Sequence, residues 1–294
     1  MVRGKNINLF LMDGDVNGRI KGSIANWTGV VYKIPRTELD KCKNLNMLKQ
    51  SGVYMLFGTD EETFKDVVYI GQAGERKNGE GILTRLSEHR KNPDKNYWND
   101  AVVFTTQNNS FGPTEISYLE NTFCNLAVKA GRYEVKNGNE PTPGNLTEEK
   151  ESEMEEFVDY AKLVIGAIGY KVFVPYVESV HNDNQAANTA DDNVYYAEIN
   201  SIHAECRQTS EGFVVLAGSQ IYLPDASYCP KSIKKLRNEY KLSKLISEDG
   251  ILQKDILFKS PSYAGVFVYG RNVNGKEIWK DSSGRSLKEK ESEK

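Results

Sequence analysis

Four side chains between residues 69 and 120 are of the types that enzymes use on phosphodiesters: Tyr69, Arg85, His89 and Glu120. An arginine stabilises negative charge on phosphoryl oxygens, a carboxylate can hold a divalent metal ion, and a tyrosine or histidine can take part in proton transfer. Arg85 and His89 are four residues apart, which places them on one face of a helix. These residue types are therefore a workable set for phosphodiester hydrolysis in a shared pocket.

Each of these residues also has an ordinary structural explanation. Tyrosines in strands usually pack against their neighbours, and an arginine and a histidine on one helix face are usually solvated. Glu120 taken alone is typical of a helix surface. The hydrolase hypothesis therefore depends on the elements that carry these residues and on their order along the chain.

The surrounding sequence predicts a small α/β domain of the α+β type, in which helices flank a three-stranded antiparallel sheet. Two short β-branched and aromatic runs, 52–57 and 67–71, predict a hairpin. A helix near 81–91, a strand at 101–106 and a helix that begins at Pro113 follow. The helices and strands alternate in an order that can bring the four side chains together.

The loop between the hairpin and the first helix is rich in glycine, lysine and arginine, with the sequence QAGERKNGEG. Its small residues permit a ligand to approach the backbone closely. Lys77 in this loop is a candidate contact to nucleic acid.

The order of these motifs resembles that of the GIY-YIG nuclease superfamily. The matching motifs are Gly52-Val53-Tyr54, Tyr69-Ile70-Gly71, Arg85-Leu86 with His89, and Tyr118-Leu119-Glu120. That superfamily includes homing endonucleases, some restriction enzymes and the incision subunit of bacterial nucleotide-excision repair, on a small fold with a three-stranded antiparallel sheet. The resemblance implies a metal-dependent endonuclease, with DNA favoured over RNA as the substrate.

The resemblance implies a role for each matching residue. Glu120 would be the single protein ligand of Mg²⁺ or Mn²⁺, and Arg85 would contact the scissile phosphate. Tyr69 would act as the general base or help to position it, while Tyr54 and His89 would line the site. A hard ion that keeps much of its hydration needs few protein ligands, so one carboxylate is consistent with such a site.

The family's last conserved position, an asparagine, falls on Asn137, with Asn139 as the alternative. Two departures from the family pattern are Val53 in place of isoleucine and Gln72 where the repair nucleases have lysine. Tyr69 raises a chemical question, because the unperturbed pKa of tyrosine is about 10. Nearby cations would lower it and burial would raise it. The sequence leaves open whether Tyr69 or a metal-bound water acts as the effective base.

The chain of 294 residues is long enough for two domains of ordinary size. We predict an N-terminal β extension over 1–50, a nuclease domain with an acidic C-terminal helix over 51–178, a linker over 179–193 and an α+β domain over 194–294. The linker is polar and nearly free of large apolar residues. The extension resembles the segment that often precedes this nuclease domain in bacterial proteins.

The composition argues against several classes of protein. With 39% hydrophobic and 27% charged residues, the chain resembles ordinary globular proteins, and no apolar run approaches the ~18 residues of a membrane helix. We therefore expect a cytoplasmic protein without a membrane partner. The four cysteines lack zinc-site spacing, and a net charge of −3 argues against non-specific coating of nucleic acid. The oligomeric state stays open, with a homo-oligomer as one alternative.

The clearest basic stretch of the chain is KSIKKLRNEYKLSK, at residues 231–244. Its candidate contacts to nucleic acid are Lys231, Lys234, Lys235 and Arg237. Nearby tyrosines could add surfaces on which bases stack. The solvated face of an ordinary helix explains the stretch equally well.

The C-terminal stretch from Gly212 to Trp279 resembles a small domain of unknown function that is appended to such bacterial nucleases. Within it, Asn274-Gly275 predicts a hairpin turn. The alternative to an endonuclease is a catalytically silent module that keeps the same fold and binds nucleic acid or a regulatory partner protein.

Overall fold

A computed structural model of the chain describes residues 4–74, 81–177, 193–199 and 202–292. It has the predicted α+β class and divides into two compact units, Met1–Pro175 and Tyr176–Lys294. Apart from Asn193, the predicted linker lies outside the described residues. In the described part of the chain, no helix has both the length and the apolar character needed to span a lipid bilayer.

The first unit is built on a seven-stranded sheet. Its strands are β1 (Ile7–Leu11), β2 (Ile20–Ile24), β3 (Gly29–Pro35), β4 (Gly52–Thr59), β5 (Asp66–Ala73), β6 (Trp98–Thr106) and β7 (Glu134–Val135), in the spatial order β1-β2-β3-β6-β4-β5-β7. All neighbours are antiparallel except β5 and β7, which are parallel. The predicted three-stranded sheet of β4, β5 and β6 is therefore the centre of a larger sheet.

The N-terminal segment forms part of this sheet. Strand β3 pairs with β6 along its whole length, from Gly29 opposite Thr106 to Pro35 opposite Asp100. Val30, Val31 and Ile34 are fully buried there. This pairing satisfies the backbone groups of β6 that would otherwise form an exposed sheet edge. Strands β1 to β3 thus extend the sheet beyond its predicted three strands.

Helices cover both faces of the sheet. Alternate residues of β4 point in opposite directions, so that Val53 and Met55 pack under α2 (Pro113–Ala130) and α3 (Glu148–Ile168). Tyr54 and Leu56 face the other side, where α1 (Ile82–Lys91) and the 3₁₀ segments Arg36–Cys42, Asn46–Lys49 and Pro93–Lys95 lie. The helices begin where their sequences predict, because Pro113 occupies the first turn of α2 and Thr147 caps α3.

The second unit has a four-stranded antiparallel sheet of spatial order β11-β10-β9-β8. Its elements are β8 (Val194–Ile199), β9 (Ile202–Thr209), β10 (Gly212–Val215), α4 (Lys231–Leu242), β11 (Ile256–Phe258), α5 (Pro261–Tyr269), α6 (Gly275–Ile278) and α7 (Leu287–Ser292). The predicted hairpin turn at Asn274-Gly275 was wrong. The Asn274 side chain accepts a hydrogen bond from the Lys276 backbone and caps α6, because asparagine is favourable at helix N-termini as well as in turns.

Candidate active site

The pairing of β4 and β5 brings the two predicted tyrosines together. Tyr54 lies opposite Gly71, and Tyr69 lies opposite Leu56, so both rings project from the same face of the sheet. Helix α1 packs on that face and presents Arg85 and His89 to the rings. The ring centroids of Tyr69 and His89 are 5.4 Å apart. Four of the predicted residues therefore form one cluster.

A short hydrogen bond of 2.6 Å joins the Tyr54 hydroxyl to His89 Nε2, and both side chains are buried. Burial raises the pKa of Tyr54 well above its ordinary value. Burial also lowers the pKa of His89 to about 4, and the nearby charges of Lys95 and Arg85 act in the same direction. His89 is therefore neutral at pH 7 and serves as a hydrogen-bond partner.

Tyr69 is half-buried at the rim of this cluster. Burial raises its pKa, and the charge of Glu120 adds to that rise, while Arg85 opposes it. Tyr69 by itself is therefore a protonated phenol at neutral pH. It can accept a proton only if additional positive charge reaches it.

Glu120 lies on α2, on the opposite face of the sheet. Gln72 donates a hydrogen bond of 2.9 Å from Nε2 to Glu120 Oε2 and a second of 3.1 Å to Ser117 Oγ. This amide fixes the carboxylate beside the end of β5. Burial raises the pKa of Glu120.

The carboxylate of Glu120 is a chemically suitable ligand for a hard divalent ion. The Glu120 side chain is half-buried. Among the described residues, the carboxylate accepts its side-chain hydrogen bond from the neutral amide of Gln72, and no cation in contact with the carboxylate compensates its charge. No group of three or more acidic, cysteine or histidine side chains in the described residues could hold a metal. Within the described residues, Glu120 is therefore the carboxylate that could bind an ion at this position, with water and other oxygen ligands completing its coordination.

Arg85 and Asn137 occupy different parts of this arrangement. Arg85 forms an ion pair of 2.8 Å with Glu88 on the same helix, and its side chain is 39% exposed, so its guanidinium can also reach a ligand.

Asn137 lies at the outer edge of β5, where its side chain accepts a hydrogen bond of 3.1 Å from the Ile70 N–H and donates one of 2.8 Å to the Ile70 carbonyl. It extends the edge pairing beyond the short strand β7 and so holds β5 in position.

Lys95 also belongs to this cluster, although it is not among the predicted residues; its Nζ lies 3.0 Å from the centroid of the Tyr69 ring. Lys95 ends the short 3₁₀ segment Pro93–Lys95. Neither a repeating pattern nor a motif marks such a segment, so the sequence carried no signal for this contact.

The predicted nucleic-acid contacts lie apart from this cluster along the chain. Lys77 falls outside the described residues. Lys231, Lys234 and Lys235 are exposed on α4. Arg237 is fully buried inside the second unit, where it binds Asp225 and backbone carbonyls. The burial of Arg237 contradicts its predicted role as a surface contact.

Replacing Gly71 with alanine should disrupt the tyrosine cluster. A Cβ atom at Gly71 would lie 2.4 Å from the Tyr54 hydroxyl and 2.6 Å from Tyr54 Cζ, well inside van der Waals contact. The Tyr54 ring would have to move and weaken its bond to His89. We expect a loss of about 1–3 kcal/mol in the free energy of unfolding, as for other overpacked sites, and a loss of about 100-fold in any activity of the site.

Gly166→Ala on α3, outside the glycine-rich loop, is the matched control for this experiment. A Cβ at Gly166 would meet no atom within 4 Å. Urea unfolding and single-turnover kinetics should separate the two variants. Equal stability and equal activity in both would show that the close packing of Tyr54 on Gly71 is unimportant.

The model of a family described as a domain of unknown function (DUF4357) matches residues 195–291. This match agrees with the predicted resemblance of the C-terminal stretch to such a domain. It lies outside the candidate active site, so the nuclease resemblance over about residues 52–140 stays a prediction. No curated protein and no solved structure matches the chain.

Proposed function

We propose that this protein is a metal-dependent endonuclease that hydrolyses phosphodiester bonds in nucleic acid, with DNA favoured as the substrate. The observation that carries the proposal is the convergence of Tyr54, Tyr69, Arg85 and His89 in one cluster, with Glu120 oriented by Gln72 beside the same strand. These residues match the order of the GIY-YIG motifs. Each also has the chemistry that phosphodiester hydrolysis requires.

In this proposal a water molecule attacks phosphorus and transfers a proton to a base or to solvent. The bond from phosphorus to the leaving sugar oxygen breaks, and that oxygen takes up a proton from solvent. Arg85 stabilises the negative charge that develops on the phosphoryl oxygens. Glu120 would hold Mg²⁺ or Mn²⁺, which when bound supplies Lewis-acid stabilisation of that charge. Gln72 keeps the carboxylate in one orientation.

Tyr69 is the candidate for the general base in this site. Because burial and Glu120 raise its pKa, the phenol can lose its proton only when cations lie close to it. Otherwise its hydroxyl orients the attacking water by hydrogen bonding. The neutral pair of Tyr54 and His89 supports the Tyr69 ring in either case.

The test is a cleavage assay of the purified protein on labelled single-stranded, duplex and branched DNA and on matched RNA. We expect cleavage in Mg²⁺ or Mn²⁺ and none in excess chelator, with internal cuts on circular DNA. A protein that cleaves none of these substrates under either metal would contradict the proposal.

A second candidate function is nucleic-acid binding by the C-terminal unit, and one surface favours it. Lys231, Lys234 and Lys235 are exposed on α4, and Tyr228, 61% exposed, precedes the helix. Lysines neutralise phosphates, and an exposed ring offers a base a surface for stacking. This surface would hold the substrate if the endonuclease proposal is correct, and would be the main function if the site is silent.

Replacing Lys231, Lys234 and Lys235 with glutamine should weaken nucleic-acid binding. If each lysine neutralises one phosphate, the slope of log affinity against log salt should fall by about 2 to 3. Fluorescence anisotropy with a labelled oligonucleotide at several salt concentrations measures both quantities. The control variant replaces Lys276, Lys288 and Lys290 of the same unit with glutamine. If the two triple variants bind equally well, the basic surface of α4 does not contact nucleic acid.

A further inference from the structure

We propose that Lys95 binds the substrate phosphate in the candidate active site, together with Arg85. This inference rests on the proposed function and adds a residue that the motif pattern does not contain. Three features support it: the position of Lys95 over the Tyr69 ring, the charges around it and the contacts that hold its segment in place.

The ammonium group of Lys95 covers one face of the Tyr69 ring, with 3.0 Å from Nζ to the ring centroid. Cations are attracted to the faces of aromatic rings, and the attraction strengthens when water is excluded. Lys95 is half-buried in this position. The side chain that the family resemblance makes the general base therefore lies directly under a positive charge.

Within the described residues, the charges around Lys95 are unbalanced. No acidic side chain among the described residues pairs with it, whereas Arg85 lies close enough to act on it electrostatically. Burial, followed by the charge of Arg85, lowers the pKa of Lys95 to about 8. It stays mostly protonated at pH 7. Glu88 compensates the charge of Arg85, but no described carboxylate pairs with Lys95, so an anion bound beside the two cations would be favourable.

A phosphodiester is the anion that this pair of cations fits best. It carries one negative charge on two non-bridging oxygens, so a guanidinium and an ammonium can each donate to a different oxygen. The two acidic side chains that belong to the candidate site have other partners: Glu88 pairs with Arg85, and Glu120 is bound by Gln72. As far as the described residues show, the positive charge of Lys95 is thus available to a ligand.

The segment that carries Lys95 is fixed by Arg36 of the N-terminal part of the unit. Its guanidinium donates to the carbonyls of Arg90, Asn96 and Trp98 at 3.1, 3.0 and 3.3 Å, and to Asn96 Oδ1 at 2.9 Å. It also lies 4.9 Å from the centroid of the Trp98 ring. These contacts bracket Lys95 on both sides, so its position over Tyr69 is supported by the folded unit.

The test compares Lys95→Gln and Lys95→Arg with Lys91→Gln, which removes an exposed lysine at the end of α1. Binding of a labelled duplex is measured by anisotropy without divalent metal, and cleavage by single-turnover kinetics with Mg²⁺. For Lys95→Gln we expect binding to weaken roughly tenfold, with the salt slope lower by about 1. Cleavage should fall about 100-fold. Lys95→Arg should recover most of both losses, and Lys91→Gln should behave as the unmodified protein.

The two measurements separate failure of this inference from failure of the proposed function. If the unmodified protein cleaves but Lys95→Gln matches Lys91→Gln in both assays, Lys95 does not bind phosphate and the endonuclease proposal stands. If the unmodified protein binds but cleaves nothing, the endonuclease proposal fails and the salt slope still decides the role of Lys95. A protein that neither binds nor cleaves overturns both.

Discussion

Replacing Glu120 with glutamine is expected to reduce phosphodiester cleavage by about 10³-fold while leaving the free energy of unfolding nearly unchanged. Glutamine has almost the same shape and can still accept the hydrogen bond that Gln72 donates at 2.9 Å. It carries no charge and is a poor ligand for Mg²⁺. The variant therefore removes the metal-binding chemistry of the side chain and keeps its packing.

The stability expectation follows from the raised pKa of Glu120. Burial favours the protonated carboxyl in the folded state, so the ionised form at neutral pH destabilises the fold relative to a neutral side chain. This destabilisation is absent at low pH, where the carboxyl is protonated in both states, and develops as the pH rises through its unfolded pKa. Glutamine at this position should consequently leave stability at pH 7 unchanged or slightly higher.

Glu115→Gln on the same helix is the control for Glu120→Gln. Its side chain accepts a hydrogen bond of 3.1 Å from the Gly112 N–H at the start of α2, and glutamine can preserve that bond. Electron paramagnetic resonance of Mn²⁺ should show binding lost in Glu120→Gln and retained in Glu115→Gln. Cleavage at an undiminished rate in Glu120→Gln would refute the metal-site assignment.

The parts of the candidate site that could be predicted are those set by local periodicity. Residues 54 and 69 lie in strands whose antiparallel pairing places them on one face, and residues 85 and 89 share one face of a helix. The spacing of Ile116, Leu119 and Phe123 likewise fixes which side of α2 packs against the sheet. These relations depend on repeat distances that can be counted in the sequence.

The parts that could not be predicted depend on contacts between distant segments. The pairing of β3 with β6 joins residues about seventy positions apart, and no local pattern selects that edge. The same applies to the reach of Arg36 to Asn96 and Trp98, which holds the segment of Lys95. The effect of burial on Tyr69 also depends on what packs around it. In the structure, burial raises the pKa of Tyr69.

Arg237 is a different case, because a signal was present in the sequence. Ile233, Arg237 and Tyr240 recur at intervals of four and three residues, which places Arg237 on the same face as apolar side chains. That face packs on the core of the second unit, while Lys234 and Lys235 point outward. The number of positive charges in residues 231–244 does not distinguish the buried arginine from the exposed lysines, whereas the helical periodicity of the stretch does.

Replacing Arg237 with methionine should destabilise the second unit by about 3–5 kcal/mol, the usual cost of breaking a buried ion pair by removing one partner. Arg237 Nε donates to Asp225 Oδ1 at 2.6 Å, and its two terminal nitrogens donate to the carbonyls of Tyr222, Leu223, Phe267 and Val268. In the variant, the Asp225 carboxylate loses its ion pair with Arg237, although its side chain is only 10% exposed. The ammonium group of Lys241 lies 3.9 Å from Asp225 Oδ2 and is too distant to replace that hydrogen bond.

Unfolding in urea, followed by fluorine resonance of 5-fluorotryptophan, can report on this unit because Trp279 lies in it and Trp27 and Trp98 lie in the other. Lys235→Met is the control on the same helix, and we expect its stability to change by no more than about 0.5 kcal/mol. The two variants should also differ in binding, since only Lys235 is on the surface proposed for nucleic acid. If Arg237→Met unfolds at the same urea concentration as Lys235→Met, the buried guanidinium does not hold the loop at Tyr222 and Leu223 against α5. The core of the unit would then owe its stability to apolar packing around Phe267 and Trp279 alone.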